Sequence, residues 1–246
     1  MTRLWATGYD PTPDQWQAEH RPTVGGVPVP GRIQRVPAPG PAAGRPAGQV
    51  LRIEVQPGDV TDTGGYLASR TEVLGRAPDL WSTPPDRWPD PPGSVRWCGF
   101  PLFVPEDFQT ATDTTWLVLA QWKGLRGGSP PVGLEIKRSG LRLGGARTNA
   151  GLIPRDGALG PLTKGAWTRL VVGMRLSPDP TVGWVEAWRD GKQAVPRTAV
   201  ATMDLIAGQP DPIYLKQGIY RDGKWTCPHV LYFGRTQVGT TRSDVD

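Results

Sequence analysis

The run Tyr214-Leu215-Lys216-Gln217-Gly218-Ile219-Tyr220-Arg221 constrains this chain more than any other stretch. It alternates with period two. As a strand it puts Tyr214, Lys216, Gly218 and Tyr220 on one face and Leu215, Gln217 and Ile219 on the other. A face with two phenols and an ammonium group does not build an ordinary apolar core. It suits the floor of a groove that handles something polar and anionic.

Other short runs repeat the strand signal. Leu51, Ile53 and Val55 alternate with Arg52, Glu54 and Gln56, and Pro57-Gly58 closes that strand. Strands are expected over 66–73, 95–104, 116–122, 167–176, 183–189 and 225–233. In the 116–122 run, Trp116, Val118, Ala120 and Trp122 should face one way and Leu117, Leu119 and Gln121 the other. Residues 132–137 and 141–143 flank Ser139-Gly140 as a hairpin, and Asp190-Gly191 is a strong hairpin turn. One short helix is expected, over 200–207. Glycine at 32 residues and proline at 28 both resist long helices. The pattern predicts an all-β fold, a β-sandwich or jelly roll of two curved antiparallel sheets with a concave groove.

Residues 1–49 are expected to be a Pro/Gly-rich N-terminal arm, because segments such as Pro37-Ala38-Pro39-Gly40-Pro41 cannot form central strands. Trp5, Tyr9 and Trp16 can pack this arm against the body or a partner. Residues 50–246 form the expected single domain. A proline-rich loop with Trp81 and Trp88 interrupts it over 75–93. Trp184 and Trp188 share a strand face and are expected in the core.

The formal charge of +5 favours an anionic partner such as an acidic polysaccharide. Nucleic acid is not expected, since the chain has no zinc-finger spacing, helix-turn-helix pattern or lysine run. No stretch is apolar enough to span a membrane, and the N-terminus lacks the apolar centre of a signal peptide. Cys98 and Cys227 either join in one disulfide or stay as buried thiols. With His20 and His229 the only histidines, a zinc site is not expected.

Three strand segments carry candidate chemistry: Arg70-Thr71-Glu72, Gln121-Trp122-Lys123 and the 214–220 run. Together they suit β-elimination on a uronic acid. The C5 proton becomes removable when the neighbouring carboxylate is neutralised, here by hydrogen bonds from Gln121 and Arg70 that strengthen as charge develops. Tyr220 can remove that proton and return it to the leaving glycosidic oxygen in a syn reaction. A free phenol titrates near ~10, so cationic neighbours such as Lys216 or Arg70 are needed to favour phenolate. No metal or organic cofactor is required. Tyr214 reads as a wall of the groove. Lys123, Glu72 and Arg221 are placed with it as substrate-binding residues.

These residues resemble the jelly-roll polysaccharide lyases, particularly the glucuronan, alginate and heparin lyase groups. The family's Tyr-x-Lys-x-Gly-x-Tyr strand is matched by Tyr214, Lys216, Gly218 and Tyr220, and its Arg-x-Glu strand by Arg70 and Glu72. Its Gln-x-His strand is matched at Gln121, but Lys123 stands at the histidine position. Gly183 to Trp188 before Asp190-Gly191 is similar to a recurrent hairpin of these folds. The resemblance covers roughly residues 50–235. It implies a lyase acting on a glucuronate-, mannuronate- or iduronate-containing chain outside the cell. Lys123 supplies positive charge but is a poor neutral base. A syn reaction through Tyr220 survives that change, whereas an anti reaction through the histidine does not. The alternative expectation is a non-catalytic carbohydrate-binding or structural protein of a bacteriophage virion, a minor tail or capsid-surface protein that meets other virion proteins through residues 1–49.

Overall fold

The computed structural model describes residues 3–6, 18–20, 22–24, 27–59, 68–74, 90–110, 115–126, 128–145 and 158–246. Tyr9, Trp16, Tyr66, Trp81 and Trp88 lie outside them. The first strands are β1 (Arg3–Ala6), β2 (Ala18–His20), β3 (Thr23–Val24), β4 (Val27–Pro28), β5 (Ile33–Pro37), β6 (Gln49–Val55) and β7 (Ala68–Leu74). Then come β8 (Val95–Phe103), β9 (Leu117–Gly124), β10 (Val132–Lys137), β11 (Gly140–Gly144), β12 (Ala158–Pro161), β13 (Trp167–Arg175) and β14 (Trp184–Arg189). The last are β15 (Lys192–Ala199), β16 (Leu205–Ile206), β17 (Gln209–Pro210), β18 (Ile213–Asp222), β19 (His229–Phe233) and β20 (Gln237–Gly239). Among the described residues the only helical turns are short 3-10 turns at Pro30–Arg32 and Arg242–Asp244, and no helix is long and apolar enough to cross a membrane.

Two antiparallel sheets dominate. One has nine strands, in the order β15-β14-β13-β8-β19-β6-β5, with β20 pairing β8 and β1 pairing β20. The other has seven, in the order β12-β11-β10-β9-β18-β7-β2. Their inward residues interdigitate in one core. Leu51, Ile53, Phe100, Leu102, Met174 and Phe233 of the first sheet meet Trp122, Leu134, Ile136, Leu143, Leu215 and Ile219 of the second. The fold is the expected all-β sandwich of the jelly-roll kind.

The arm segment contributes strands to both sheets. β5 pairs β6 from Ile33↔Ile53 to Pro37↔Gln49, β2 pairs β7, and β1 pairs β20. β5 is an edge strand, which is where a strand ending in proline is tolerated.

One expectation needs correction and one is refined. Residues 200–207 do not form a helix. Leu205–Ile206 and Gln209–Pro210 pair as a small hairpin, with Ala207 and Gly208 at φ 51° and 74°. Two consecutive left-handed residues reverse the chain, and so short a segment gains too few hydrogen bonds to nucleate a helix. Trp188 is buried core, as expected, but in a small second cluster apart from the main one, and half-buried Trp184 packs against it. They join Trp97 on the outer face of the nine-stranded sheet, with ring centroids 6.2 and 5.3 Å from Trp97, and the Arg242 guanidinium lies 4.5 Å from the Trp188 ring.

The Asp190-Gly191 turn is as expected, with φ of 50° and 76°, the geometry that lets a two-residue loop follow the strand twist. Both cysteines are buried free thiols, and burial pushes the Cys98 thiol up to about 12.

Candidate functional site

β18 runs through the middle of the seven-stranded sheet between β9 and β7. Its alternation is the one expected: Leu215 and Ile219 enter the core, and Lys216 and Tyr220 face outward with Glu72 and Arg70. All ten residues of β18 are nevertheless buried, so this outer face is recessed.

The registers bring the three expected segments together. Lys216 stands opposite Gln121 and Tyr214 opposite Lys123 on β9. Gly218 stands opposite Glu72 and Tyr220 opposite Arg70 on β7. Glu72, 1% exposed, is the hub. Gln121 Nε2 donates to its Oε1. Lys216 Nζ lies 3.5 Å from its Oε2, and Arg70 Nε lies 3.2 Å from the same oxygen. Such a buried carboxylate persists because two hydrogen-bond donors, Gln121 and Lys216, and the Arg70 charge replace the water it lost. Lys216 is drawn down to about 8, first by burial and then by the nearby Arg70 and Lys123 cations, with Glu72 opposing the shift. It remains a cation at neutral pH.

Tyr220 is 8% exposed. The Arg70 guanidinium sits 4.3 Å from its ring centroid, and Trp116 meets it edge-on at 4.6 Å. Tyr214 is 3% exposed and belongs to the apolar core cluster; Lys216 Nζ lies 6.0 Å from its ring centroid. Lys123 is half-buried and its Nζ donates to the Gly124 carbonyl at 3.3 Å.

Gly218 has φ 154°, a backbone conformation that residues with side chains rarely adopt. A Cβ there would lie 2.7 Å from the Glu72 Cα and closer still to the Thr71 carbonyl oxygen. The glycine is required by the approach of β7 itself, and the β18–β9 register shifts between Gln217 and Tyr220.

The 116–122 run does not alternate uniformly. Its register against β10 passes from Ala120 to Val118 and skips Leu119. This bulge reverses the phase of the strand. Ala120 and Trp122 face the core, but so do Leu117 and Leu119, and Trp116 comes to the Tyr220 side. Trp116 is the site neighbour that sequence periodicity missed, because a bulge leaves no mark in a period-two pattern.

Arg221 does not join the set. It follows the odd-numbered residues of β18 into the interior and is 0% exposed. Its Nη1 donates to the Cys227 carbonyl at 2.6 Å and to His229 Nδ1 at 2.7 Å. Since arginine only donates, His229 Nδ1 accepts and Nε2 carries the proton, donating to the Gln109 carbonyl at 3.0 Å. Burial and the Arg221 charge hold His229 down at about 4. The remaining histidine, His20, stands in register opposite Glu72 on the neighbouring strand β2.

This arrangement offers an outward face with three cations, one internal carboxylate, an amide and a phenol beside a guanidinium. Among the described residues no group of His, Cys, Asp or Glu could hold a metal ion.

Comparison with known proteins follows the same line. A family described as polysaccharide lyase matches residues 11–239. No curated protein sequence matches the chain. Among solved structures, an endo-β-1,4-glucuronan lyase from the fungus Trichoderma reesei superposes with a TM-score of 0.68 at 19% identity, over 100% of this chain and 98% of that one. A marine alginate lyase from Aplysia kurodai gives a TM-score of 0.57 at 11% identity, over 98% and 100%. A cellulose-induced protein gives 0.58 at 12% identity, over 96% and 97%. At these identities the structural matches show a shared fold.

Proposed function

The chain belongs to the polysaccharide lyase family, and from that membership we propose that it cleaves a uronic-acid-containing polysaccharide by β-elimination on the outer face of β7, β9 and β18. The observation that carries the reading is the convergence of Arg70, Gln121 and Lys216 on one point beside Tyr220. Amide, guanidinium and ammonium donors can share a substrate carboxylate and strengthen their hold as charge builds on it.

In the proposed reaction Tyr220, as phenolate, takes the C5 proton of the uronate. The electron pair left at C5 forms the C4=C5 double bond as the C4–O bond breaks. The Tyr220 phenol then returns its proton to the departing glycosidic oxygen. Arg70 over the ring and protonated Lys216 favour the phenolate by Coulomb attraction. Lys123 and Tyr214 border the path of the sugar chain. The polymer places this activity outside the cell.

Any imidazole taking part is that of His20, because His229 is interior, neutral and committed to Arg221 and Gln109. Lys123 at the family's histidine position leaves the syn route through Tyr220 as the one proposed. Under it, His20→Asn keeps most of its turnover; a fall of a hundredfold or more, read from the same assay, would transfer the base role to His20.

The test is ultraviolet absorbance of unsaturated uronate during incubation with glucuronan, alginate and glycosaminoglycans, with Tyr220→Phe alongside. The wild type should produce the signal, and the variant should lose roughly 100-fold or more of the rate while folding normally. A variant that keeps its rate removes Tyr220 from the proposed role.

A second reading, carbohydrate binding without turnover, draws on one observation: Gln121 and Arg70 are already engaged by Glu72, so a substrate carboxylate must share or displace that carboxylate. A folded wild type that binds these polymers without producing the chromophore would select it. Neither the fold nor the matched proteins carry support for a virion role.

A further inference from the structure

The residues that follow Tyr220 fold back onto the strand that faces it. β18 ends at Asp222, whose amide N–H donates to the Trp116 carbonyl at 3.1 Å. The Asp222 carboxylate accepts from the Lys224 amide at 2.9 Å, and the Trp225 amide donates to the Asp222 carbonyl at 3.4 Å. An aspartate that bonds the backbone two residues on, with glycine next in line, closes a tight reversal. That reversal returns the Trp225 indole to the Trp116 carbonyl, to which its Nε1 donates at 3.3 Å. The two lone pairs of one main-chain oxygen are thereby both engaged.

Trp116 reaches Tyr220 through the register. Tyr220 pairs with Val118, and Trp116, two residues before Val118, falls on the same face. Its ring meets Tyr220 diagonally across the ladder, with centroids 4.6 Å apart and planes at 66°, an edge-to-face contact. The Arg70 guanidinium makes a second contact, 4.3 Å from the Tyr220 centroid. Trp225 is seated in its turn. Its ring stands edge-on to His229 at 4.5 Å, and that buried imidazole is held by Arg221 Nη1 and by the Gln109 carbonyl. A continuous line of contacts therefore runs from the fixed interior histidine, through Trp225 and Trp116, to the Tyr220 ring.

We propose that Trp225 is a positioning residue for the elimination: through the Trp116 carbonyl it fixes Trp116, and through the Trp116 ring it fixes the angle of the Tyr220 phenol. The inference rests on the reading of Tyr220 as the group that moves the C5 proton. That phenol has to meet two atoms in turn, the C5 hydrogen and the glycosidic oxygen. A ring held at one angle meets both, whereas a ring that swings loses alignment with each. The brace acts on the phenol and not on the grip of the polymer, so it belongs to kcat and leaves KM alone.

The test compares Trp225→Phe, Trp116→Leu and their double variant in the full chain. Trp225→Phe keeps an aromatic ring against His229 and removes the N–H donor. On a polyuronate cleaved by the wild type, its kcat should fall about tenfold with KM unchanged. Trp116→Leu should fall at least as far, and the double variant no further than Trp116→Leu, because the two residues act through one contact. Trp116→Phe, which keeps a ring beside Tyr220, should recover part of the rate. A second measurement needs no turnover. The ring-proton resonances of Tyr220, assigned by their loss in Tyr220→Phe, should move in Trp225→Phe, in the direction of the larger change in Trp116→Leu. Unmoved resonances in Trp225→Phe, with its kcat unchanged or with losses that simply add to those of Trp116→Leu, would overturn the brace and leave the elimination reading intact. Moved resonances with no unsaturated product even from the wild type would keep the brace and remove the elimination reading.

Discussion

Glu72 is the residue on which the site turns, because its carboxylate holds three outward side chains at once. The sequence marks Arg70 and Glu72 as neighbours on one face, and so they are. That Gln121 and Lys216, 49 and 144 residues away, converge on the same carboxylate is a matter of strand register, which no local pattern records. The cost of burying Lys216 has a sign that can be measured. Its pKa falls from 10.5 to about 8 in the folded protein. Between those limits the unfolded chain binds more protons, so this group makes stability rise as pH increases from about 8 towards 10.5. Lys216→Met should remove that rise, as read by urea unfolding at a series of alkaline pH values. An identical slope in the variant would mean that Lys216 is not the depressed group. The same substitution should slow elimination, since it takes away a charge that favours the Tyr220 phenolate.

At the scale of the strand, β18 and β9 teach opposite lessons. The 214–220 alternation is legible from residue types because both its faces are chemically distinct, and the structure keeps its phase from Leu215 to Tyr220, while Tyr214 joins the core cluster. The 116–122 run is apolar on both faces, so nothing in its composition shows that the bulge at Leu119 reverses it. Trp116 was invisible for that reason. The apolar stretch at 200–207 misled in a similar way, as its turn depends on left-handed residues at Ala207 and Gly208, and alanine gives no sign of that. Gly218 was legible as a special position, and the structure supplies the cause in the Thr71–Glu72 backbone. Gly218→Ala should therefore destabilise the protein by about 3 kcal/mol or more and slow elimination by moving Glu72. Thermal unfolding and the elimination assay check both parts; a tolerated alanine would show that β7 can give way cheaply.

For the whole molecule, the interior is as polar at one end as it is apolar in the middle. Arg221, His229 and Cys227 are buried together there, with the Phe108 and Trp225 rings 4.6 and 4.5 Å from the imidazole. His229 titrates near 4 in place of 6.5. Its contribution to stability is complete above pH 6.5 and is lost as pH falls towards 4, amounting to roughly 3 kcal/mol. Asp90, raised to about 6 by burial despite Arg96, acts in the opposite sense between pH 6 and 3.8. His229→Gln should therefore flatten or reverse the acid loss of stability, as measured by urea unfolding from pH 7 to 4; an unchanged slope would place the acid sensitivity elsewhere. The order of assembly follows from the pairing of the sheets. Hairpins such as β10–β11 and β13–β14 join neighbours in sequence and close in about 1–10 μs. The contacts between β18 and β7, and those between β1 and β20, join distant parts of the chain, and loop-closure entropy delays them into the millisecond to second range, roughly. The strands that carry Glu72 and Lys216 meet only through such a late contact, so a refolding chain regains most of its sheet signal while it is still without a working site.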